Sequence, residues 1–286
     1  MIQVHNLRQI KNRIKSIGNT RKITKAMEMV SGSKLSKVKH LFLMSKPYHE
    51  AMQAMLYDII SDSPGIKNAL IHKREHIKKI TLCIVTSDTG LCAAYNSNVI
   101  KCAEDFLRAR KGTVVKIVAI GREGYTHFRA SGYTITKSYL NLYGRFTQAT
   151  FDQITSTLIG LYTAGVTDEV YAAYTVFKAS LRHTPVVEKL LNIEPVSGGR
   201  KYYTFEPSAQ ALVDSLASRF ISQKIRTILL EALTSEHSAR MLAMKTATDN
   251  ADDLVDQLTL ARNKARQFAI TKEVLEIAAS AEALKG

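Results

Sequence analysis

No tryptophan occurs in the 286 residues, and there are only three cysteines and five prolines. Each shortage excludes something. Cys83, Cys92 and Cys102 are odd in number and irregular in spacing. That argues against a disulfide framework, fits a reducing compartment and offers no zinc-site pattern. No apolar run approaches the ~18 residues that a membrane-spanning helix needs. The N-terminus has no apolar signal core. Residues 1–25 are basic and amphipathic, as a mitochondrial transit peptide would be, but the helical pattern runs on past them and is read as structure. Acidic residues are also scarce, 25 Asp and Glu against 40 Lys and Arg, for a net charge of +15. Residues 1–40 hold ten basic residues and one acidic residue, Glu28, so +9 of the excess lies in one segment. Such a stripe implies an acidic partner: nucleic acid, an anionic membrane surface or an acidic protein surface. With 45% hydrophobic residues the chain is globular in class. Its length suits one large domain or two modest ones.

Proline and glycine are both absent from Ser208 to Lys285. A single helix over that run would reach roughly 115 Å, too long for a globular core, so it needs a partner. Ala247, Ala251, Leu254, Leu258, Ala261, Ala265 and Phe268 recur in steps of four and three, a coiled-coil seam. Ile270, Val274, Ile277, Ala281 and Leu284 form a second seam, two residues out of phase. Residues 2–60 read as a second long helix through Val4, Leu7, Ile10, Ile14, Ile17, Ile23, Met27, Val30, Val38 and Phe42. Gly18 and Gly32 weaken it, and Pro47 is expected to bend or end it.

Between these helices the period changes. Ile80–Thr86, Thr113–Ile120, Tyr133–Tyr139 and Glu169–Phe177 read as strands. Asn96–Arg110 and Phe146–Thr163 read as helices, with a short helix after Gly121. Val186–Ile193 is a further strand or an extended arm. Strands alternating with helices indicate a largely parallel α/β sheet. The fold class is therefore α/β with a long α-helical coiled coil: an antiparallel pair of N- and C-terminal helices flanking a Rossmann-like domain. The expected division is an N-terminal helix at 1–62, a linker at 63–78, the α/β domain at 79–196, a loop at 197–207 and a C-terminal helix at 208–286. Pro207 at the first turn or Ser208 as N-cap starts that last helix.

The candidate chemistry is thin. Asp88–Thr89–Gly90 after a β run has the form of an aspartic-protease turn, but Thr86 and Ser87 are polar where a protease strand is apolar. The simpler reading is a strand-to-helix turn with Asp88 accepting backbone N–H groups. Gly121–Arg122–Glu123–Gly124 lacks the spacing and the later acidic residue of a dinucleotide loop. His72 and His76 have helical metal-ligand spacing but lie among positive charges with no third ligand. Asp249, Asp252, Asp253 and Asp256 lack EF-hand order and read as a solvated helix face. The basic stripe could track phosphates, yet no aromatic residues are interleaved with it.

Four strings carry a resemblance: TRKITKAMEMVSGSKL (20–35), SDTGLCAAYNSN (87–98), SEHSARMLAMKTATDNADDL (235–254) and ARNKARQFAITKEVLEIAASAEAL (261–284). They strongly resemble the gamma subunits of F-type ATP synthases. The resemblance implies a non-catalytic rotor shaft: a coiled coil standing inside a hexamer of alpha and beta subunits, with the α/β domain near the epsilon (and delta) subunits and the c-ring. It implies no cofactor, no nucleic acid, and membrane contact only through the complex. The implied place is the cytoplasmic face of a bacterial inner membrane, since Met1 follows no leader, or else the matrix side of the mitochondrial inner membrane. The competing reading is a basic coiled-coil nucleic-acid-binding protein.

By position, the resemblance implies beta-subunit contacts for Lys25, Met27, Arg240, Gln267, Thr271 and Glu276, and c-ring contacts for Tyr203 and Glu206. Three departures stand out. Thr89, Ala93 and Ala94 replace residues of the family's usual D-R-G-L-C-G-G, and the two alanines suggest a loop that needs less backbone freedom. Gly18 stands where Lys or Gln is usual. Ser31–Gly32 replace two alanines, so the first helix is expected to be locally softer. No inserted cysteine pair of the chloroplast redox type is present.

Overall fold

The computed structural model describes residues 7–63, 65–71, 74, 76–144, 146–179, 182–194, 205–206 and 208–283. Ten elements follow in order: α1 (Leu7–Asp62), β1 (Lys79–Val85), α2 (Tyr95–Arg108), β2 (Val114–Ile120), α3 (Arg122–Ala130), β3 (Thr134–Tyr139), α4 (Gln148–Thr163), β4 (Glu169–Ala179), β5 (Arg182–Leu191) and α5 (Ala209–Ala283). The chain divides into two compact units, Met1–Val30 with Met241–Gly286, and Ser31–Arg240. These units do not follow the element boundaries, because α1 and α5 each contribute to both.

The larger unit is built on a five-stranded sheet of order β3-β2-β1-β4-β5. β1 pairs in parallel with β2 and β4, and β2 with β3, while β5 closes the edge antiparallel to β4. The sequence pattern builds it directly. Along β1 alternate side chains leave opposite faces of the pleat. Ile80, Leu82 and Ile84 pack with Val99, Ala103 and Leu107 of α2 and Phe128 of α3. Cys83 and Val85 join the other face, with Phe151, Ile154 and Leu158 of α4, Leu56 and Ile59 of α1, and Phe220, Ile221 and Ile225 of α5. A strand buried on both faces must read as the continuous apolar run seen here. Each fully buried side chain of this size contributes ~1.5–3 kcal/mol.

Within this unit α1 and α5 pair antiparallel. Ser45 Oγ meets Thr227 Oγ1 at 3.0 Å, and Gln223 donates to Ser45 Oγ at 2.7 Å. Further along, Gln210 exchanges hydrogen bonds with the backbone of Lys67. Ser208 Oγ accepts from the Ala211 N–H at 3.2 Å, so Ser208 is the N-cap of α5. Pro47 does not end α1, which runs through it to Asp62. The proline lies on the exposed face, where water can satisfy the carbonyl it leaves without a helical donor.

The smaller unit is a helix pair made of α1 up to Val30 and α5 from Met241. It is also antiparallel: Thr24 Oγ1 lies 2.8 Å from Thr248 Oγ1, and Arg21 pairs with Asp252. The buried positions are Ile10, Thr24, Met244, Thr248 and Ala251. This corrects the expected seam. Ala251, Leu258 and Ala265 do lie on the inner side, but Leu254 and Phe268 are exposed, and Val255 takes the inward place expected of Leu254. On α1, Ile23 and Val30 are exposed while Thr24 is buried. Two helices approach closely where side chains are small, and a threonine hydroxyl finds a partner there that a large aliphatic chain would push away. Ile270, Val274 and Ile277 of the second seam are exposed, and Leu284 lies outside the described residues.

Candidate functional site

The sequence-derived contact residues fall into three groups. In the smaller unit, Lys25 is exposed on α1 and its ammonium lies 3.1 Å from Glu28 on the next turn. Met27 is half-buried on the same helix. Gln267, Thr271 and Glu276 are exposed on α5. Thr271 Oγ1 donates to the Gln267 carbonyl at 3.0 Å, and the Lys272 ammonium is 3.6 Å from Glu276. The register does not bring Met27 to these three. With Thr24 opposite Thr248, Met27 lies across from the turn near Met244, so Gln267 is about 30 Å further along α5 by helical rise. The two groups form separate patches.

Around them lies a set of apolar residues; the periodicity placed Ile23, Val30, Phe268 and Ile277 on stripes or seams and did not single out Met29, Leu242, Leu260 and Leu275. Ile23, Met29, Val30, Leu242, Leu260 and Leu275 are exposed large apolar side chains on the two helices. Phe268 and Ile277 are the most open on α5, at 67% and 69%. Large apolar groups left in water along a helix pair mark a surface that another protein covers. The signal available in the sequence was the excess of apolar residues beyond what one seam uses.

Arg240, in the larger unit, is a different case. Its side chain is buried and its donors are engaged within the chain. Nη1 pairs with Glu236 Oε1 at 2.7 Å. Nη2 donates to the Thr89 carbonyl at 2.9 Å and to Thr89 Oγ1 at 3.2 Å, and Nε to the Gly90 carbonyl at 3.3 Å. It therefore does not stand free as an exposed contact residue. Reaching an acidic loop of another chain would mean breaking these bonds in a buried setting, which leaves Glu236 unpaired. Burial raises the Glu236 carboxyl pKa and the Arg240 charge opposes the rise. Beside them, burial depresses the His237 imidazole to about 4, helped by the charges of Arg240 and Lys34. The His237 Nε2 has no hydrogen-bond partner among the described residues.

The loop that Arg240 holds is the Asp88–Thr89–Gly90 turn. Asp88 Oδ1 accepts from the N–H groups of Arg122 at 3.2 Å and Asn141 at 3.0 Å, and Oδ2 from that of Tyr143 at 2.8 Å. One carboxylate thus gathers the loops that follow β1, β2 and β3. This is the backbone-accepting turn, and among the described residues no second carboxylate shares a proton with it. Gly121, after β2, is the βα turn: φ is +92°, and a Cβ would come within 2.1 Å of the Thr86 carbonyl. Ala93 does need backbone freedom. Its φ is +50°, in the left-handed region, which corrects the expectation drawn from the two alanines.

Of the remaining candidates, Glu206 is exposed ahead of α5, while Tyr203 and His72 lie outside the described residues. Asp252 is tied up with Arg21. Among the described residues no three His, Cys, Asp or Glu side chains are grouped to hold a metal ion, and no helix is long and apolar enough to cross a membrane.

Comparison with known proteins accounts for this arrangement of two paired terminal helices and a five-stranded α/β sheet. The ATP synthase family model matches residues 6–284. The ATP synthase gamma chain of Pelotomaculum thermopropionicum is 40% identical over 284 residues, covering 98% of this chain and 99% of the relative. That of Alkaliphilus metalliredigens is 38% identical over 288 residues, with the same coverage. Among solved structures, a chain of the Tetrahymena thermophila mitochondrial ATP synthase central stalk and c-ring aligns with a TM-score of 0.61 at 21% identity, over 79% of this chain and 99% of that one. A chain of the Euglena gracilis mitochondrial ATP synthase rotor aligns with a TM-score of 0.62 at 15% identity, over 92% and 98%. The chain belongs to the ATP synthase gamma-chain family.

Proposed function

We propose that this chain is the central rotor stalk of a proton-transporting F-type ATP synthase. It carries rotation from a membrane c-ring to the catalytic beta subunits and has no catalytic site of its own. The observation that carries the reading is the helix pair of the smaller unit. Among the described residues its inner face buries only Ile10 and Met244 beside the small or polar Thr24, Thr248 and Ala251, while many large apolar side chains remain exposed on both helices. A pair of this kind is covered by a sleeve rather than by its own chain. The sleeve is a hexamer of alpha and beta subunits. Epsilon (and delta) subunits and the c-ring meet the α/β domain, and no cofactor or nucleic acid is needed. The working division is a coiled-coil helix at 1–62, a linker at 63–78, the α/β domain at 79–196, a loop at 197–207 and the second coiled-coil helix at 208–286.

Lys25, Met27, Gln267, Thr271 and Glu276 are the contacts with beta subunits. Tyr203 and Glu206 are the contacts with the c-ring. Arg240 supports a beta contact less directly, since its guanidinium is engaged inside the chain. The basic first helix faces acidic loops of the sleeve, which sets orientation and encounter rate more than affinity. The working site is the cytoplasmic face of a bacterial inner membrane, by analogy with the bacterial relatives. The nucleic-acid reading of the basic stripe finds no support in the family.

The test is affinity purification of the tagged full chain at moderate salt with identification of co-purifying subunits. Large ATPase subunits should come down with it, and the chain alone should hydrolyse no ATP. A free monodisperse chain that binds duplex DNA tightly and without those subunits would overturn the proposal.

A further inference from the structure

In open α/β sheets the crevice where strand order reverses, outside the carboxyl ends of the strands, is where ligands bind. Here that reversal lies between β1 and β4, since the order is β3-β2-β1-β4-β5. The crevice is filled by the protein itself. The segment of α5 from Ala232 to Arg240 crosses the carboxyl ends of the strands. Tyr95, at the start of α2, donates its buried hydroxyl to the Ala232 carbonyl at 3.1 Å. Ser235 Oγ donates to the Thr175 carbonyl of β4 at 3.2 Å. Glu231, one residue before the segment, accepts from the Phe177 N–H at 3.0 Å. Arg240 closes the other end on the carbonyls of Thr89 and Gly90. After β3, Gly144 has φ +73°, and a Cβ there would meet Leu233 Cδ1 at 2.9 Å and His237 Nε2 at 3.1 Å.

From this geometry we infer that the crevice is a socket that grips α5, and that Asp88, Tyr95 and Arg240 are its positioning residues, making the α/β domain and α5 turn as one body. Three features support it. The grip consists of directional bonds at both ends of the segment, whereas apolar packing alone permits sliding and rolling. The bonds come from the segment after β1 and from β4 itself, so a twist applied to the sheet reaches the helix through more than one point. Asp88 ties the Arg240-bound loop to the loops after β2 and β3, so that loop cannot give by itself. The helix then continues from Arg240 without a break into the residues of the other unit. The socket is a property of the fold; its torque-bearing role rests on the rotor reading.

Two experiments separate those claims. In the first, amide hydrogen exchange is followed on the full chain, with Arg240→Met, Arg240→Lys and the isosteric Tyr95→Phe. Arg240→Met should speed exchange by about tenfold at the N–H groups of Arg122, Asn141 and Tyr143 and leave α4 unchanged, as local opening of one unit does. Arg240→Lys should fall between it and the wild type. Tyr95→Phe, which keeps the packing, should give a rise of about threefold confined to residues 88–95 and 232–240. Unchanged exchange, or an even rise that includes α4, would overturn the socket.

In the second, a bead fixed to partly exposed Cys102 reports on angular fluctuation in the assembled ATPase. Wild-type and Tyr95→Phe chains are compared. Broader fluctuation in the variant, by about twofold, supports the torque-bearing role, and equal widths refute it. A wild-type chain whose bead never rotates counts against the rotor reading, while the exchange result on the socket stands.

Discussion

The two units bury different things. All of the largest fully buried side chains, among them Tyr162, Phe128, Phe220 and Leu56, belong to residues 31–240. The helix pair of residues 7–30 and 241–283 buries mostly small or polar groups and leaves Phe268, Ile270, Val274 and Ile277 in water. Both units draw on the same two helices, but only the larger one sets them against a sheet. The difference teaches that length and apolar content do not decide whether a helix is self-sufficient; what the chain lays against it does. In the larger unit the sheet and its helices cover the apolar faces. In the smaller one each helix has a single partner, and by the register that sets Thr24 opposite Thr248 the stretch of α5 after about residue 265 lies past the described part of α1, so its apolar surface is left for other proteins.

Two phenylalanines of α5 provide the widest contrast. Phe220 is 1% exposed, its ring 5.3 Å from that of His49. Phe220→Ala should cost ~3–5 kcal/mol through lost transfer energy and the cavity left behind. Phe268→Ala, at a residue 67% exposed, should change the stability of the free chain by less than ~0.5 kcal/mol. Urea unfolding of the two variants checks both. A cost at Phe268 comparable to that at Phe220 would erase the distinction between the units. In the assembled complex, Phe268→Ala should weaken retention of the chain even though its folding is unaffected.

This distinction was only half legible in the sequence. The elements were legible because their periods differ. Short runs rich in β-branched residues marked β1 and β2, and the absence of proline and glycine after Ser208 marked α5. The seam was less so. Counting apolar residues selects Ile23, Val30, Leu254 and Phe268, but close helix approach selects Thr24, Ser31 and Val255 instead, beside the expected Ala251. Hydrophobicity ranks residues by what they lose in water, and says little about how near two backbones come. The socket was not legible at all. Arg240 and Thr89 are 151 positions apart, and nothing local to either sequence indicates that the guanidinium and the loop carbonyls meet. Asp88 was read as a turn residue, and its three backbone donors come from loops that only the sheet brings together.

A second contrast uses pH, since the larger unit buries a histidine with no counterpart among the described residues of the smaller one. His237 falls from the ordinary 6.5 to about 4, chiefly by burial. The unfolded chain takes up that proton first, so stability is complete above pH 6.5 and is lost as pH falls toward 4. At about 1.4 kcal/mol per pH unit, the loss through this group reaches ~3 kcal/mol. Glu236, whose carboxyl is raised by burial, works in the opposite direction. Arg240 on the same helix and Lys34 of α1 hold the imidazole neutral. The quantity to measure is therefore the difference between wild type and His237→Asn in denaturant midpoints from pH 7 to 4.5. That difference should shift in favour of the variant as pH falls, and a constant difference would refute the assignment.

In the smaller unit a pair of hydroxyls is buried beside Met244 and Ala251. Thr24 and Thr248 are 2.8 Å apart, and each also lies within hydrogen-bond distance of a carbonyl in its own helix, Arg21 and Met244 respectively. A hydroxyl has one proton, so one threonine donates across the interface and the other donates back. Thr24→Val removes the cross-bond while Thr248 keeps its own carbonyl, and should cost ~1 kcal/mol. The double variant with Thr248→Val should recover part of that loss, because the Thr248 hydroxyl oxygen no longer lies buried against a valine that cannot donate to it. A double-mutant cycle measures the coupling. Purely additive costs would mean that the helices pair by shape alone.

The smallest expected effect sharpens the comparison at the loop that α5 grips. Ala93 sits at φ +50°, where the side chain of an L-residue crowds the following carbonyl, at about 1–2 kcal/mol. Glycine would relieve that strain but would also widen the unfolded ensemble, which costs about 0.4–1 kcal/mol. Relief exceeds cost by a small margin, so Ala93→Gly should raise stability by ~0.5 kcal/mol, visible as a higher thermal midpoint. Leu91, at φ +61° in the same loop, is 61% exposed and gains nothing from packing there. Two strained residues on one short loop persist only when neighbours hold them in place. Asp88 on one side and Arg240 on the other do so. If Ala93→Gly stabilises the wild type but has no effect in Arg240→Met, the strain is maintained by the grip on α5. Equal gains in both backgrounds would mean that the loop keeps its shape without the helix.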